Sequence, residues 1–169
     1  KTKPELAAEM IQSAVKTQAS QGIVLADCAY GNNGGFRYAL RENGLGYSVD
    51  ILGSTKMWRA DAQGRRRGPV STAESFARRV CFRRCTWTEG TKRELASRFG
   101  FVRVVVQSDL AYSSEPHPVW LGIEYPFDEE ESIGYFLSSL PSTSTTIERV
   151  RTHKSRWRTE RMYQDLKGV

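Results

Sequence analysis

The chain has 169 residues, which corresponds to about one domain. Its 25 Lys and Arg outnumber its 19 Asp and Glu and give a net charge of +6, while 39% of the residues are hydrophobic. This composition excludes a wholly disordered chain. No run approaches the roughly 18 apolar residues of a transmembrane helix. The three cysteines fit a reducing compartment better than a disulfide framework, so we expect a soluble, cytoplasmic protein.

The chain opens with an amphipathic helical pattern. Apolar residues recur at helical spacing from Pro4 to Gln18, and Gly22 lies just beyond the predicted end. No initiator methionine or strand precedes this pattern. We therefore expect the chain to be a piece of a longer protein.

A short apolar run at residues 23 to 26 ends in Asp27 and predicts a buried parallel strand with a polar residue at its carboxyl end. The glycine-rich loop at residues 31 to 35 precedes a predicted helix at residues 36 to 42. A further strand is predicted at residues 47 to 52. The order of helix, strand, helix and strand is typical of half of a small α/β domain.

The positive charge is concentrated in the middle of the chain. Residues 56 to 98 contain twelve Lys or Arg and four Asp or Glu. A β-rich insertion is predicted by four strand-like segments, at residues 80 to 88, 99 to 107, 118 to 125 and 133 to 140. The run Arg65, Arg66 and Arg67 is either a flexible phosphate-binding loop or a solvated charge run, and its basic surroundings favour DNA contact.

One long helix is predicted at the end of the chain, over residues 145 to 167. At 100° per residue, its polar residues share one face about 100° wide. These residues are Arg149, His153, Arg156, Glu160, Tyr163, Gln164 and Lys167. The face is either a solvated surface with i,i+4 ion pairs of about 0.3–0.5 kcal/mol each or the wall of a cleft.

The same helix carries a family resemblance. His153, Arg156, Glu160 and Lys167 resemble the Y-x2-R-x3-E-x6-K signature of DDE transposases from bacterial insertion sequences, with histidine in the place of tyrosine. The segment VLADCAYGNNGGFRYALRENG, which includes Asp27, is similar to the segment around the second catalytic aspartate of these enzymes. The segment YFLSSLP fits the strand before the signature helix.

The resemblance implies part of an RNase H-like α/β fold, in which helix, strand, helix, strand and a long C-terminal helix form the core. The core would occupy residues 1 to 55 and 144 to 169, with the β-rich basic insertion at residues 56 to 143 between them.

It also implies the site residues. Asp27 and Glu160 would be catalytic residues that bind two Mg2+ or Mn2+ ions together with an aspartate on an earlier strand. His153, Arg156 and Lys167 would contact DNA phosphates. The expected partners are transposon-end DNA and a second copy of the chain. We expect the protein to associate with the nucleoid while it is bound to DNA.

Two alternatives remain open. Without the first aspartate, the chain would be inactive alone, and it would then be a transposase remnant that binds DNA or intact transposase. A basic small-molecule enzyme is the other class, but no nucleophile or base constellation is visible near Asp27. Trp58 and Trp87 would stack on bases or pack in the core, and the sequence does not decide between these roles.

Overall fold

The computed structural model describes residues 1 to 17, 22 to 91 and 93 to 167. Four predictions extend beyond this range. Outside it lie Gln18 at the predicted end of the first helix, Lys92 of the basic run, the side chain of Tyr163, and residues 168 and 169.

Helices and strands alternate in the first part of the chain, and strands dominate the middle. The helices are α1 (Lys3–Lys16), α2 (Cys28–Gly31), α3 (Gly34–Glu42), α4 (Ala73–Phe76), α5 (Thr146–Lys154) and α6 (Trp157–Leu166), and a 3-10 helix covers Gln107–Ala111. The strands are β1 (Ile23–Ala26), β2 (Gly46–Ile51), β3 (Lys56–Ala60), β4 (Arg66–Thr72), β5 (Arg83–Glu89), β6 (Arg93–Val106), β7 (Val119–Tyr125) and β8 (Gly134–Ser138).

The strands form one mixed sheet of eight strands in the order β1-β2-β8-β7-β6-β3-β4, and β5 also pairs with β6. Strands β1 and β2 are parallel, and the other pairs are antiparallel. This mixed α/β architecture confirms the predicted fold class and is consistent with a partial RNase H-like DDE fold. The strands predicted for the insertion continue the same sheet, and the domain boundaries stay a prediction.

Helices cover both faces of the sheet. The larger core joins α3 and α4 to the strands through residues such as Phe36, Leu40 and Phe76. The smaller core, on the opposite face, packs Val150 of α5 against Phe136 and other aromatic residues of the sheet. The second face is the one that carries the signature helix.

The predicted C-terminal helix is present, but it is divided into α5 and α6. Ser155 and Arg156 form a turn between them, and the Ser155 hydroxyl donates to the Thr152 carbonyl at 2.7 Å. Arg156 reaches down to Asp50 of β2, with Nη1 2.5 Å from Oδ2. The division therefore coincides with a contact between the chain's last segment and the sheet.

Strands β3 and β4 were not predicted, and the flexible-loop interpretation is wrong for Arg66 and Arg67, which lie in β4. The Asp61 carboxylate fixes the turn between the strands, because its Oδ1 accepts from the backbone N–H groups of Gln63 and Arg65 at 2.9 and 2.8 Å. The arginine run is thus part of an ordered hairpin. Among the described residues, no helix is both long and apolar enough to cross a membrane.

Candidate active-site cleft

Asp27 and Asp50 lie at the same level of the two parallel strands, near their carboxyl ends. Asp27 follows β1 as predicted; it is exposed, and its carboxylate accepts from the Ala29 backbone N–H at 2.9 Å at the start of α2. Ala26 pairs with Val49 in parallel register, so the next residue of each strand is an aspartate. Sequence analysis missed Asp50, although a lone carboxylate within an apolar strand was a signal for it.

Helix α2 packs tightly on β2 next to these aspartates. A Cβ added to Gly31 would lie 1.9 Å from the carbonyl oxygen of Asp50. Any side chain at this position would therefore push α2 away from β2. Close packing beside Asp50 therefore explains Gly31, whereas Gly34 and Gly35 pack against Ser108 and Tyr112.

The signature histidine is stacked inside the protein. His153 lies flat on Phe136, with 3.7 Å between ring centroids and 7° between ring planes. Phe136 in turn lies over Gly122, where an added Cβ would be 2.2 Å from the phenyl ring. Glycine at position 122 therefore creates the space in which the two rings stack.

Both ring nitrogens of His153 have protein partners. Nε2 is 3.2 Å from Oδ1 of Asp50, and Nδ1 is 3.0 Å from the Ser48 hydroxyl. Burial lowers the pKa of His153, and the hydrogen bond with Asp50 opposes this shift only in part. Because a carboxylate can only accept, the neutral ring carries its proton on Nε2 and accepts from Ser48 at Nδ1.

Arg156 bridges Asp50 and Glu160. Its Nη1 lies 2.5 Å from Asp50 Oδ2, and its Nε lies 3.5 Å from Glu160 Oε1. Burial would raise the pKa of Asp50, but the hydrogen bonds from His153 and Arg156 and the positive charge of Arg156 outweigh it and hold that pKa below its ordinary value. Glu160 lies in the first turn of α6 and is 66% exposed.

These residues surround a cavity of about 240 Å3 between the sheet and the two C-terminal helices. Three of the four signature residues line it, namely His153, Arg156 and Glu160, together with Asp50. Nearby, Lys154 Nζ lies 2.6 Å from Glu124 Oε2, so a second cation of the cleft is also paired with a carboxylate.

The other predicted site residues lie outside this cavity. Asp27 does not line it, and Lys167 follows α6 as an exposed residue. The arginines 65 to 67 are exposed on the hairpin of β3 and β4, at the opposite end of the sheet from β1. The structure thus brings together only part of the predicted set.

The carboxylates of the cleft are of the right chemical type to bind a hard divalent cation, but too few of them come together among the described residues. Carboxylate oxygens are the ligands that Mg2+ and Mn2+ prefer. However, no three His, Cys, Asp or Glu side chains come together as a metal site within residues 1 to 17, 22 to 91 and 93 to 167. The described residues do not by themselves form a complete two-metal site.

The tryptophans have different surroundings. Trp87 is buried against Phe99, and its Nε1 donates to Glu89 at 3.0 Å, so it belongs to the core. Trp58 is only half-buried, and the Arg66 guanidinium lies 5.0 Å from its ring centroid.

Comparison with known proteins identifies the family. The family model described as "DDE superfamily endonuclease" matches residues 1 to 94, which include Asp27 and Asp50 but not the signature helix. Nucleases of this superfamily act on DNA and generally use divalent metal ions. No match was found among the curated proteins. Since the matched segment covers more than half of the 169 residues, the chain belongs to the DDE superfamily of endonucleases.

Proposed function

We propose that this chain carries part of the active site of a DNA transposase, which cleaves and joins DNA strands at the cleft between β2, β8 and the C-terminal helices. One observation carries the proposal. Three residues of the transposase-like signature line a single cavity, and the end of β2 places Asp50 in that cavity beside the strand that delivers Asp27.

Asp27 and Glu160 are the proposed ligands of Mg2+ or Mn2+, which would supply Lewis-acid activation of the scissile phosphodiester when bound. Lys167 and Arg156 are the proposed phosphate contacts, and Arg156 would contact phosphate through the guanidinium N–H groups that Asp50 and Glu160 do not engage. His153 has both ring nitrogens engaged within the protein, so its proposed role is to hold Asp50 and α5 in place rather than to contact phosphate.

The carboxylate set limits what the chain can do alone. Two-metal cleavage needs carboxylates that hold both ions, and Asp50 is already held by His153 and Arg156. We therefore propose that the chain alone binds DNA without cleaving it. The same observation supports the second candidate, a non-catalytic remnant that binds DNA or intact transposase. By resemblance, the active form would be a homodimer on transposon ends, in the cytoplasm and at the nucleoid.

The test combines metal binding with a nicking assay. We expect titration of the chain with Mn2+, followed by electron paramagnetic resonance, to show binding that is weakened by Asp27→Asn and by Glu160→Gln. Glu115→Gln is the matched control, because Glu115 is an exposed carboxylate outside the cleft. Equal Mn2+ binding in all variants would contradict the proposed ligands. A Mg2+-dependent nicking of supercoiled DNA that disappears in Asp27→Asn would contradict the inactivity of the chain alone.

A further inference from the structure

We propose that a second cleft, between the hairpin of β3 and β4 and a stretch of β6 that is unpaired on one edge, binds one nucleotide unit of a single DNA strand. The choice of DNA as the ligand rests on the proposed function, whereas the cleft itself lies apart from the carboxylates of the active site. Its walls, its charge and its size each support the proposal.

The cleft exists because two strands are irregular at the same place. On one edge, β6 pairs with β7 from Arg98 to Val104. On its other edge it pairs with β5 as far as Phe99 and with β3 from Val104 onward. Within the part of the chain that the structure describes, residues 100 to 103 therefore have no strand on this edge.

Strand β4 bulges on the other side of the opening. Met57 pairs with Ser71 and Arg59 with Arg67, so three residues of β4 oppose a single residue of β3. Gly68 within this bulge has a φ of 68°, a conformation that favours glycine. Bulges are over-represented beside binding and active sites, where they redirect side chains.

The lining suits a nucleotide. The cleft has a volume of about 370 Å3, within the range of about 300–1,000 Å3 that is typical of small-ligand sites. Three arginines line it, namely Arg59, Arg67 and Arg79. Guanidinium groups bind phosphate through paired hydrogen bonds. Of the described residues that line the cleft, none is Asp or Glu.

An apolar wall lies beside this charge. Phe76 and Val102, which belong to the larger core, contribute apolar side chains to the lining, and a base can pack against such a surface whatever its sequence. Because the bases of a duplex are already stacked and paired, this wall favours an unpaired nucleotide.

Two of the three guanidinium groups are available for a ligand. Arg67 lies 2.9 Å from Asp61 Oδ2. Among the residues that the structure covers, Arg59 and Arg79 have no carboxylate within 4.0 Å. A phosphate would therefore meet uncompensated positive charge at Arg59 and Arg79.

Cys81 provides a local reporter of occupancy. It lines the cleft and is exposed, whereas Cys28 is half-buried and Cys85 is buried. We expect single-stranded DNA to slow the alkylation of Cys81 by iodoacetamide, as followed by peptide mass spectrometry. Cys28 is the internal control, because it lies in α2 and does not line the cleft.

The variant test compares two pairs of arginines with equal loss of charge. One protein carries Arg59→Gln and Arg79→Gln; the control carries Arg78→Gln and Arg83→Gln, both at exposed arginines outside the cleft. We expect the first pair to weaken binding of a short labelled single strand roughly tenfold, and to reduce the slope of log K against log salt by about 0.7, the contribution of the one phosphate that the two arginines share. The control should change both far less.

Binding is measured by fluorescence anisotropy in EDTA, so that failure of the metal-dependent proposal leaves this test unaffected. Equal losses in the two double variants would overturn the proposal, as would unchanged alkylation of Cys81. Equal protection of Cys81 by duplex DNA would also overturn it. If inorganic phosphate or a free mononucleotide protects Cys81 as well as the strand does, the site binds a small anion and the proposal of a strand is overturned.

Discussion

Two cation-rich regions of this protein use their charge in opposite ways. Around the candidate active-site cleft, cations have carboxylate partners: Arg156 lies 2.5 Å from Asp50, and Lys154 lies 2.6 Å from Glu124. His153 adds a second contact to Asp50. These side chains connect the C-terminal helices to the sheet, so the positive charge here fixes geometry.

In the hairpin of β3 and β4, by contrast, one carboxylate contacts two arginines. Asp61 contacts Arg65 and Arg67, whereas Arg59 lines the second cleft with no carboxylate within 4.0 Å in the described part of the chain. Positive charge in this region is largely available to a polyanion. The comparison shows that the number of arginines predicts an anionic partner. The positions of the carboxylates decide which of these arginines are free to bind that partner.

The largest expected effect comes from disrupting the stack of His153 on Phe136 in the candidate active-site cleft. Gly122→Ala would place a Cβ 2.2 Å from the ring of Phe136, which is confined on its other side by His153. We expect the free energy of unfolding, measured by urea denaturation, to fall by about 1–3 kcal/mol, as is typical of overpacked cores. The NMR signals of the His153 ring should shift as well.

Gly134→Ala is the matched control on the neighbouring strand. Its added Cβ would meet Glu124 at 3.6 Å, an ordinary contact, so the free energy of unfolding should change by no more than about 0.5 kcal/mol. Equal stability of the two variants would show that the stack has room to move and does not fix His153.

The elements that local pattern determines were predictable. The apolar run at residues 23 to 26 gave β1 and placed Asp27 at its end, and the continuous patterns near Trp120 and Phe136 gave β7 and β8. Hydrophobic periodicity involves only a few neighbouring residues, so it can be recognised in the sequence without knowledge of the tertiary structure.

The missed features depend on contacts between distant segments. Asp50 joins the cleft only because β2 pairs with β1 on one edge and β8 on the other, and Arg156 lies 106 positions further along the chain. The turn at Ser155 accompanies that contact and left no local signal. Strand β3 is short and rich in charge, so its pattern did not resemble a strand.

An intermediate effect is expected from pH. The folded protein holds the pKa of His153 below its ordinary value of 6.5, mainly through burial, so the unfolded chain binds a proton more readily. The contribution of the neutral His153 ring to the free energy of unfolding is therefore fully present above about pH 6.5. This contribution is lost as the pH decreases through the pKa of His153 in the folded protein. Asp50, whose lowered pKa lies below 3.8, contributes its own loss only in more acidic solution.

Urea midpoints between about pH 7 and about pH 5 would check this prediction. His153→Gln should be less stable at neutral pH because the ring stack is lost, but its midpoint should depend less on pH in this window. The slope, rather than the midpoint at one pH, is therefore the diagnostic quantity. A variant with the same slope as the parent protein would assign the titration to another group.

The smallest expected effect comes from removing the charge of Asp61 in the hairpin of β3 and β4. Asp61→Asn keeps an oxygen that can accept from the backbone N–H groups of Gln63 and Arg65, but removes the negative charge beside Arg67. Because exposed ion pairs are weak, we expect DNA affinity at low salt to rise only about twofold to fivefold, with a steeper salt dependence. Asp128→Asn, in an exposed turn outside the hairpin, is the control for net charge. If both variants bind DNA equally well, total charge governs binding; if only Asp61→Asn binds more tightly, Asp61 sets how much of the hairpin's charge reaches the phosphates.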